Sequence, residues 1–275
     1  MVARVDSSGV AVELATPPRR IVSLVPSITE TLCALGLAEA LVGITVYCVE
    51  PREVVGGKTR IGGEKNPDLE KIRRLEPDLV VANIEENLRD HVDTLRSWSI
   101  PVWVTYPRTV AEGIQLIAEL GALTGTEARA AAILSEIEPL FERVRSAAAR
   151  RPAVAVFYPI WRGPYMTINR DTYIHDMLRV CGARNVFAER PERYPTVTLD
   201  EIAAERPAVI LLPDEPFRFR RAHLADFTGY LEVPAVRDGR IHLVDGKPFS
   251  WHGPRIAEAL RMLPRLIDPA ATTSS

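Results

Sequence analysis

The segment LEKIRRLEPDLVVA, residues 69–82, has a second copy at residues 199–212, which reads LDEIAAERPAVILL. The two segments align without a gap, at an offset of 130 residues from position 69 to position 199. Each begins with an amphipathic run and continues, after a proline, into an apolar run, so each predicts a short helix followed by a buried strand. We interpret the repetition as a sign of duplication or of a pseudo-symmetric fold. The matching residue types are Leu69/Leu199, Glu70/Asp200, Ile72/Ile202, Pro77/Pro207, Leu79/Val209, Val80/Ile210 and Val81/Leu211.

Length, composition and charge limit the class of protein. A chain of 275 residues suits two domains better than one. Hydrophobic residues at 47% and charged residues at 25% are typical of a globular protein. The net charge of −2 argues against nucleic-acid binding, because proteins that bind nucleic acids carry an excess of basic residues. No apolar run approaches the roughly 18 residues that are needed to cross a bilayer.

The N-terminal residues and the cysteines bear on the compartment. Residues 1–20 have no basic start followed by an apolar run, so they do not predict a secretory signal. We therefore expect a cytoplasmic protein, or an extracytoplasmic one whose signal is left off this sequence. The cysteines Cys33, Cys48 and Cys181 are odd in number and widely spaced, and they predict neither a metal-binding pattern nor a disulfide framework.

Short apolar runs alternate with amphipathic segments along the chain, which predicts an α/β fold with parallel sheets. Residues 2–14 alternate in polarity around a DSSG turn and predict a hairpin. Residues 126–150 keep a helical pattern, which we interpret as a rigid connector. The predicted fold is two Rossmann-like α/β lobes joined by one long rigid helix. We place the N-terminal lobe at residues 1–108, the helical connector at 109–151 and the C-terminal lobe at 152–275.

Three predicted helices have recognisable N-terminal caps. Ser27 with Glu30, and Thr198 with Glu201, have the spacing of capping boxes. Asn66 precedes a proline, and such a pair predicts an N-cap followed by the first helical residue.

The motifs that identify common active sites are missing. The stretch GGKT at residues 56–59 resembles the end of a phosphate-binding loop, but Arg52 stands where that motif needs a glycine. There is no G-x-S-x-G, H-E-x-x-H or G-x-G-x-x-G segment. No two of the five histidines share the spacing of metal ligands. We therefore predict a non-catalytic protein without a cofactor.

Large aromatic residues lie in the predicted loops, most of them directly after predicted strands. Ligands of α/β sheets bind beyond the carboxyl ends of the strands, so these residues are candidate ligand contacts. Aromatic faces with a few polar groups suit a large, flat and partly apolar ligand. The alternative is that the rings pack the lobes against each other. The candidates are Tyr47, Tyr158, Trp161, Tyr165, Tyr194, Phe249 and Trp251.

Two acidic residues occupy the same place in the repeat. Glu70 and Asp200 both fall in the first turn of a predicted helix, where an acid is favourable to the helix dipole by a few tenths of a kcal/mol. Because Thr198 and Glu201 already supply a cap, Asp200 is not needed for capping. The matched acids are alternatively a pair of docking points for arginines on a two-fold symmetric partner.

Three segments together resemble the class of ABC-transporter substrate-binding proteins that bind iron–siderophores and cobalamin, and the cobalamin-binding branch is the most similar. The segments are PRRIVSLVPSITETLCALGL at 18–37, NPDLEKIRRLEPDLVVA at 66–82 and YPTVTLDEIAAERPAVILL at 194–212. The resemblance covers roughly residues 18–267. It implies a monomeric, bilobed protein that holds its ligand in the cleft between the lobes, with little hinge motion. It also implies delivery of the ligand to the permease dimer of an ABC importer.

The resemblance assigns roles to individual residues. Tyr47 and Tyr194 match ligand-contacting aromatics, and Glu70 and Asp200 match the acids that dock on permease arginines. Further candidate ligand contacts are Trp161, Arg162, Tyr165, Trp251, His252 and Arg255, of which the arginines would contact a carboxylate or phosphate. Cys48 and His252 are weaker candidates for ligating iron or cobalt.

Several ligands and roles stay open. The leading interpretation is a binding protein for a corrinoid, meaning a cobalamin-like ligand. Haem or a ferric siderophore is the nearest rival, although the predicted loops supply few basic groups for an anionic siderophore. From another class, a cytoplasmic enzyme or carrier that handles corrinoids on the same scaffold remains an alternative.

Overall fold

The computed structural model describes the backbone of residues 2–268 and the side chains of residues 4–268. By its internal contacts the chain divides into two compact units. The first comprises the described chain up to Pro107 together with Ala111–Glu136 and Trp251–Pro254; the second comprises Arg108–Val110, Ile137–Ser250 and the described chain from Arg255 onward. No helix within residues 2–268 combines the length and apolar character needed to span a bilayer.

The first unit contains a five-stranded parallel sheet and the predicted N-terminal hairpin, whose two strands pair antiparallel. Its strands are β1 Val2–Val5, β2 Ala11–Leu14, β3 Ile21–Ser23, β4 Leu41–Ile44, β5 Thr59–Arg60, β6 Leu79–Asn83 and β7 Val102–Thr105. The helices of this part of the chain are α1 Pro26–Ala34, α2 Arg52–Val55, α3 Leu69–Arg74, α4 Arg89–Ser97 and α5 Val110–Thr124. The strand order in the sheet is β5-β4-β3-β6-β7.

The helix α6, Glu127–Ala148, is continuous through Pro139. Its residues up to Glu136 belong to the first unit and those from Ile137 to the second. The prediction of one long helix between the two α/β parts is therefore confirmed, while the division at 109 and 151 stays a prediction.

The second unit contains a four-stranded parallel sheet of order β10-β8-β12-β13 and a small antiparallel pair, β9 with β11. Its strands are β8 Val154–Phe157, β9 Tyr165–Met166, β10 Ala183–Asn185, β11 Thr196–Val197, β12 Val209–Pro213 and β13 Ile241–Val244. Its helices are α7 Tyr173–Val180, α8 Leu199–Ala204, α9 Pro234–Arg237, α10 Lys247–Ser250 and α11 Ile256–Ile267, with a 3-10 helix at Arg221–Phe227. The predicted α/β class with parallel sheets is confirmed.

The sequence repeat is also a structural repeat at the same offset. α3 and α8 have equal length, and each residue of α8 lies 130 positions after its counterpart in α3. β6 and β12 keep this offset and are buried along their whole length. Four strands have the same order in both sheets, β4-β3-β6-β7 in the first and β10-β8-β12-β13 in the second. The two units therefore repeat one architecture, as the sequence predicted.

The turn between helix and strand is repeated in backbone detail. Glu76 and Arg206, 130 positions apart, both adopt the left-handed conformation, with φ of 45° and 49°. In each case a proline follows, at Pro77 and Pro207. A left-handed residue just after the last helical turn ends the helix and redirects the chain into the buried strand.

Two of the three predicted caps are displaced. Thr198 and Glu201 form the predicted capping box. α1, however, has Val25 at its N-cap, because Pro26 already takes the first helical position and leaves Ser27 inside the helix. α3 is capped by Asp68, whose carboxylate accepts from the Lys71 N–H, so the predicted cap at Asn66 is wrong by two residues.

We expect Arg206→Gly to raise the free energy of unfolding by up to about 1 kcal/mol. The left-handed conformation costs an L-residue roughly 1–2 kcal/mol, and the greater freedom of glycine in the unfolded chain offsets part of that gain. As a control, Glu205→Gly changes the neighbouring exposed residue, whose φ is −74°, and should cost about 1 kcal/mol. Urea unfolding followed by circular dichroism compares the two variants, and equal destabilisation would contradict the assigned strain.

Candidate functional site

Exposed large apolar side chains concentrate near the carboxyl ends of the parallel strands. Among the described side chains, eleven large hydrophobic residues are exposed. Six of them follow a strand of one of the two sheets, and a seventh, Tyr194, precedes β11. Because ligands of α/β sheets bind beyond these strand ends, the seven mark candidate ligand-binding faces. They are Val46, Tyr47 and Val49 after β4, Ile84 and Leu88 after β6, Trp161 after β8, and Tyr194.

The loop after β4 is held by groups beneath its exposed residues. The Arg60 guanidinium donates to three carbonyl oxygens of this region, those of Thr45 at 2.8 Å, Cys48 at 2.7 Å and Val55 at 3.1 Å. Tyr47, which is 58% exposed, lies over Gly63, and a side chain at that glycine would meet the ring at 3.2 Å. The structure thus fixes the backbone that presents Tyr47 while it leaves the ring open to solvent.

Cys48 is buried on this loop. Its Sγ lies 3.1 Å from the Thr29 hydroxyl and 3.2 Å from the Thr45 hydroxyl. Burial raises the pKa of the Cys48 thiol. A protonated thiol enclosed by hydroxyls is a poor metal ligand, because metals bind the thiolate. Within residues 2–268 no group of three or more His, Cys, Asp or Glu residues is arranged to hold a metal ion.

Two buried asparagines fix the loop after β6. The Asn87 side-chain carbonyl accepts from the Asn83 N–H at 2.8 Å, and its amide donates to the Glu64 carbonyl at 3.1 Å. The Asn83 side chain in turn accepts from the Glu85 N–H at 2.8 Å. These bonds hold the short loop that exposes Ile84 and Leu88.

In the second unit, Trp161 is 44% exposed and its ring meets that of Phe217 at 5.5 Å between centroids. The Phe217 ring also contacts the Phe219 ring, with 4.9 Å between their centroids. The Trp161 backbone forms an isolated bridge with Met166 at the end of β9. The exposed ring therefore stands on an aromatic cluster and is anchored through its own main chain.

Arg162 and Tyr165 bind one carboxylate, that of Asp226. Arg162 donates from Nε at 2.6 Å and from Nη2 at 2.9 Å, and the Tyr165 hydroxyl donates at 2.6 Å. The Arg162 hydrogen bonds hold the pKa of Asp226 below its usual range. Burial, followed by the bond to Asp226, raises the pKa of Tyr165. The Tyr165 ring is buried, so the structure places it beneath the candidate face and leaves Arg162 at its edge.

Tyr194 is 40% exposed and lies on a short ribbon of paired backbone. The residues on either side of it accept backbone hydrogen bonds, Pro195 from Thr167 and Arg193 from Asn169, both at 3.0 Å. The Arg193 guanidinium carbon lies 5.7 Å from the centre of the Tyr194 ring. Because the ribbon continues into β11, which pairs with β9, Tyr194 and Trp161 flank the same strand.

Four other candidates are buried. Tyr158 and Phe249 contact each other edge to face at 6.1 Å, so this pair packs inside the second unit itself and not between the two lobes. Trp251 and His252 belong to the first unit and are 7% and 8% exposed. Burial lowers the pKa of His252 to about 4, so its imidazole is neutral at pH 7. Contact of these side chains with a ligand would require the residues that cover them to move.

Glu70 and Asp200 are exposed in the first turns of α3 and α8, at equivalent places in the repeat. Neither carboxylate is the cap of its helix, since Asp68 and Thr198 fill that role. The Asp200 carboxylate accepts from the Tyr230 hydroxyl at 2.9 Å. The docking role of this pair stays a prediction.

The sequence analysis missed two features of the second unit. Asp226 lies 61 residues from Tyr165 along the chain, and no local pattern pairs it with Arg162 or Tyr165. The run FRFRR, residues 217–221, supplies three exposed arginines after β12, although few basic groups were expected in such loops. The alternation of phenylalanine and arginine in this run is a pattern from which the basic segment could have been predicted.

Comparisons with known proteins place this geometry in context. A family model described as periplasmic binding protein matches residues 21–248. The chain is 29% identical over 273 residues to the uncharacterized ABC transporter substrate-binding lipoprotein YvrC of Bacillus subtilis, covering 96% of this chain and 84% of that protein. It is 25% identical over 253 residues to a vitamin B12-binding protein of Vibrio cholerae, covering 90% and 88%. The solved structure of the periplasmic heme-binding protein BhuT in complex with two hemes is 25% identical, with a TM-score of 0.81 and coverage of 92% and 99%.

We expect Asp226→Asn to lower the free energy of unfolding at pH 7 by about 1.5–3 kcal/mol, because it removes charge-assisted hydrogen bonds from a largely buried carboxylate. The folded-state pKa lies below the unfolded value, so this stabilisation is complete above the ordinary carboxyl pKa of about 3.9 and is lost as the pH falls through the folded value. Urea unfolding at pH 7 and in acid measures the difference.

The control is Asp238→Asn, which alters an exposed carboxylate paired with its neighbour Arg237. It should leave the free energy of unfolding nearly unchanged, because an exposed ion pair contributes little to stability. Equal losses for the two variants at pH 7 would show that the hydrogen bonds from Arg162 and Tyr165 to Asp226 contribute no special stability.

Proposed function

This chain belongs to the periplasmic binding protein family, and on that premise we propose that it is a non-catalytic substrate-binding protein for a large metal chelate of the tetrapyrrole class. It delivers this ligand to an ABC importer. Matching relatives whose names state a substrate-binding lipoprotein or a vitamin B12-binding protein support the transport role and an extracytoplasmic location. A cytoplasmic corrinoid-handling protein has no such support.

The observation that carries the proposal is the placement of exposed rings and apolar side chains near the carboxyl ends of strands in both units. A ring that buries on the order of 100 Å² contributes about 2.5 kcal/mol to binding. Three such rings match a ligand with broad apolar faces. We propose that Tyr47 is a ligand contact on the first unit, and that Trp161 and Tyr194 are ligand contacts on the second unit.

The remaining candidates have supporting roles in this proposal. Arg162 and Tyr165, joined through Asp226, hold the surface beside Trp161. Trp251 and His252 are more than nine-tenths buried, and we propose that they shape the site from within. The neutral His252 and the protonated Cys48 are buried, and neither is proposed as a metal ligand.

Within the tetrapyrrole class, a corrinoid is the first candidate, because several matching relatives are named as vitamin B12-binding proteins. A haem is the second candidate, and BhuT, a structural neighbour named as heme-binding, supports it. A ferric siderophore is the third possibility, and it offers fewer broad apolar faces to the exposed rings.

We expect Tyr47→Ala, Trp161→Ala and Tyr194→Ala each to weaken ligand binding by about 10- to 100-fold, as the loss of one buried ring implies. Titration calorimetry with cyanocobalamin and with haemin measures the affinity. Each variant should keep its far-ultraviolet circular dichroism, because each side chain is at least 40% exposed.

Trp98→Ala is the matched control. Trp98 is a partly exposed tryptophan that follows α4 and lies at the amino end of β7. The Arg73 guanidinium carbon lies 5.1 Å from the centre of its ring. Loss of the Trp98 ring should leave the affinity unchanged. Wild-type ligand affinity in all three aromatic variants would contradict the proposal that these rings contact the ligand.

We further expect the double variant Glu70→Ala and Asp200→Ala to bind ligand with wild-type affinity and to lose uptake through the importer. Two exposed carboxylates at equivalent positions suit paired arginines on a two-fold symmetric permease. Uptake of labelled ligand by cells that carry the native importer gives the readout. The double variant Glu138→Ala and Glu205→Ala also removes two exposed carboxylates and should transport normally. Normal uptake by the Glu70/Asp200 variant would exclude the docking role.

A further inference from the structure

The segment that follows β12 carries three exposed arginines, Arg218, Arg220 and Arg221. Phe219, which lies between Arg218 and Arg220, is buried, and Phe217, which precedes Arg218, is half-buried. The phenylalanines therefore pack on the second unit, and the arginines extend into solvent. Residues 216–225 contain no carboxylate.

None of these three arginines is held by a carboxylate within the described side chains. Within residues 2–268 they take part in no ion pair, whereas Arg162 beside them is bound to Asp226. The nearby carboxylates have other partners: Asp214 accepts from the Gly246 N–H, Glu215 from the Ser250 hydroxyl, and Asp226 from Arg162 and Tyr165.

The arginines adjoin the candidate ligand face. Phe217, which precedes Arg218, is the residue whose ring contacts the exposed ring of Trp161. The segment also follows the carboxyl end of β12, the strand at which its sheet is expected to receive a ligand. A ligand that rests on Trp161 therefore meets this charged segment at its edge.

We propose that Arg218, Arg220 and Arg221 bind carboxylate groups at the edge of the ligand, so that this protein selects an anionic metal chelate. Guanidinium groups bind carboxylates through paired hydrogen bonds and keep their charge at every physiological pH. A macrocycle with an apolar face and carboxylates along one edge, such as an iron porphyrin, fits Trp161 and the arginines together. This inference rests on the proposed function, and on the ground of charge it places a haem ahead of the corrinoid that the names of the relatives favour.

The experiment compares haemin, haemin dimethyl ester and cyanocobalamin, each titrated into the full chain. The ester keeps the macrocycle and loses the two carboxylates. We expect haemin to bind at least 10-fold more tightly than its ester. The variant Arg218→Gln/Arg220→Gln/Arg221→Gln should reduce haemin affinity by at least 10-fold and leave ester affinity unchanged. Higher ionic strength should reduce the difference in affinity between haemin and its ester, because salt screens the charges.

A charge-matched variant, Arg74→Gln/Arg143→Gln/Arg184→Gln, removes three exposed arginines elsewhere and should bind haemin as the wild type does. The variant Arg218→Lys/Arg220→Lys/Arg221→Lys keeps the charge, and partial retention of haemin affinity is expected. Circular dichroism of every variant establishes that it is folded.

The outcomes separate this inference from the proposed function. Equal affinity for haemin and its ester, or unchanged haemin affinity in the glutamine variant, overturns the carboxylate site and leaves a chelate-binding protein. Binding of cyanocobalamin without binding of haemin also overturns the carboxylate site and leaves a chelate-binding protein. If haemin, cyanocobalamin and a ferric hydroxamate all fail to bind, the proposed function falls and this inference falls with it.

Discussion

The burial of two strands, β6 and β12, determines the rest of the structure. All five residues of each strand are buried, so both faces of the sheet must be covered by helices and loops. The neighbouring strands are parallel, so each needs a crossover to reach the next one, and the crossover helices cover the faces of the sheet. The carboxyl ends of neighbouring parallel strands lie along one edge of each sheet, and the exposed rings lie near that edge.

A ligand face made of loops needs rigid support, and partly buried polar groups provide it. In the first unit, Arg60 donates hydrogen bonds to three backbone carbonyl groups of the region that presents Tyr47. In the second, Asp226 joins Arg162 and Tyr165 beside Trp161. Each polar anchor binds residues close in sequence to an exposed ring, so its hydrogen bonds hold the segment and the ring stays available. Pre-organised loops of this kind reduce the entropy that a ligand must overcome when it orders its site.

The sequence predicts the scaffold far better than the site. The repeated segment has strong local signals, namely amphipathic spacing, a proline and a buried apolar run, and its helix and strand recur at the offset that the sequence shows. Caps were less predictable, since Pro26 moves the start of α1 ahead of the serine that resembles a cap. Which ring is exposed depends on tertiary packing: Trp161 and Tyr165 are four residues apart, yet only Trp161 is exposed. Asp226 carries no local signal, because its partners are more than 60 residues away.

The central claim is that ligand binds at the carboxyl ends of the parallel strands in both units. Hydrogen–deuterium exchange of the full chain, with and without saturating haemin or cyanocobalamin, tests this claim most directly. The account predicts slower exchange in the loops after β4, β6, β8 and β12 and around Tyr194. It predicts unchanged exchange in the turns at the amino ends of the strands, which include Glu76, Ser99 and Arg206. Slower exchange confined to those turns would contradict the account.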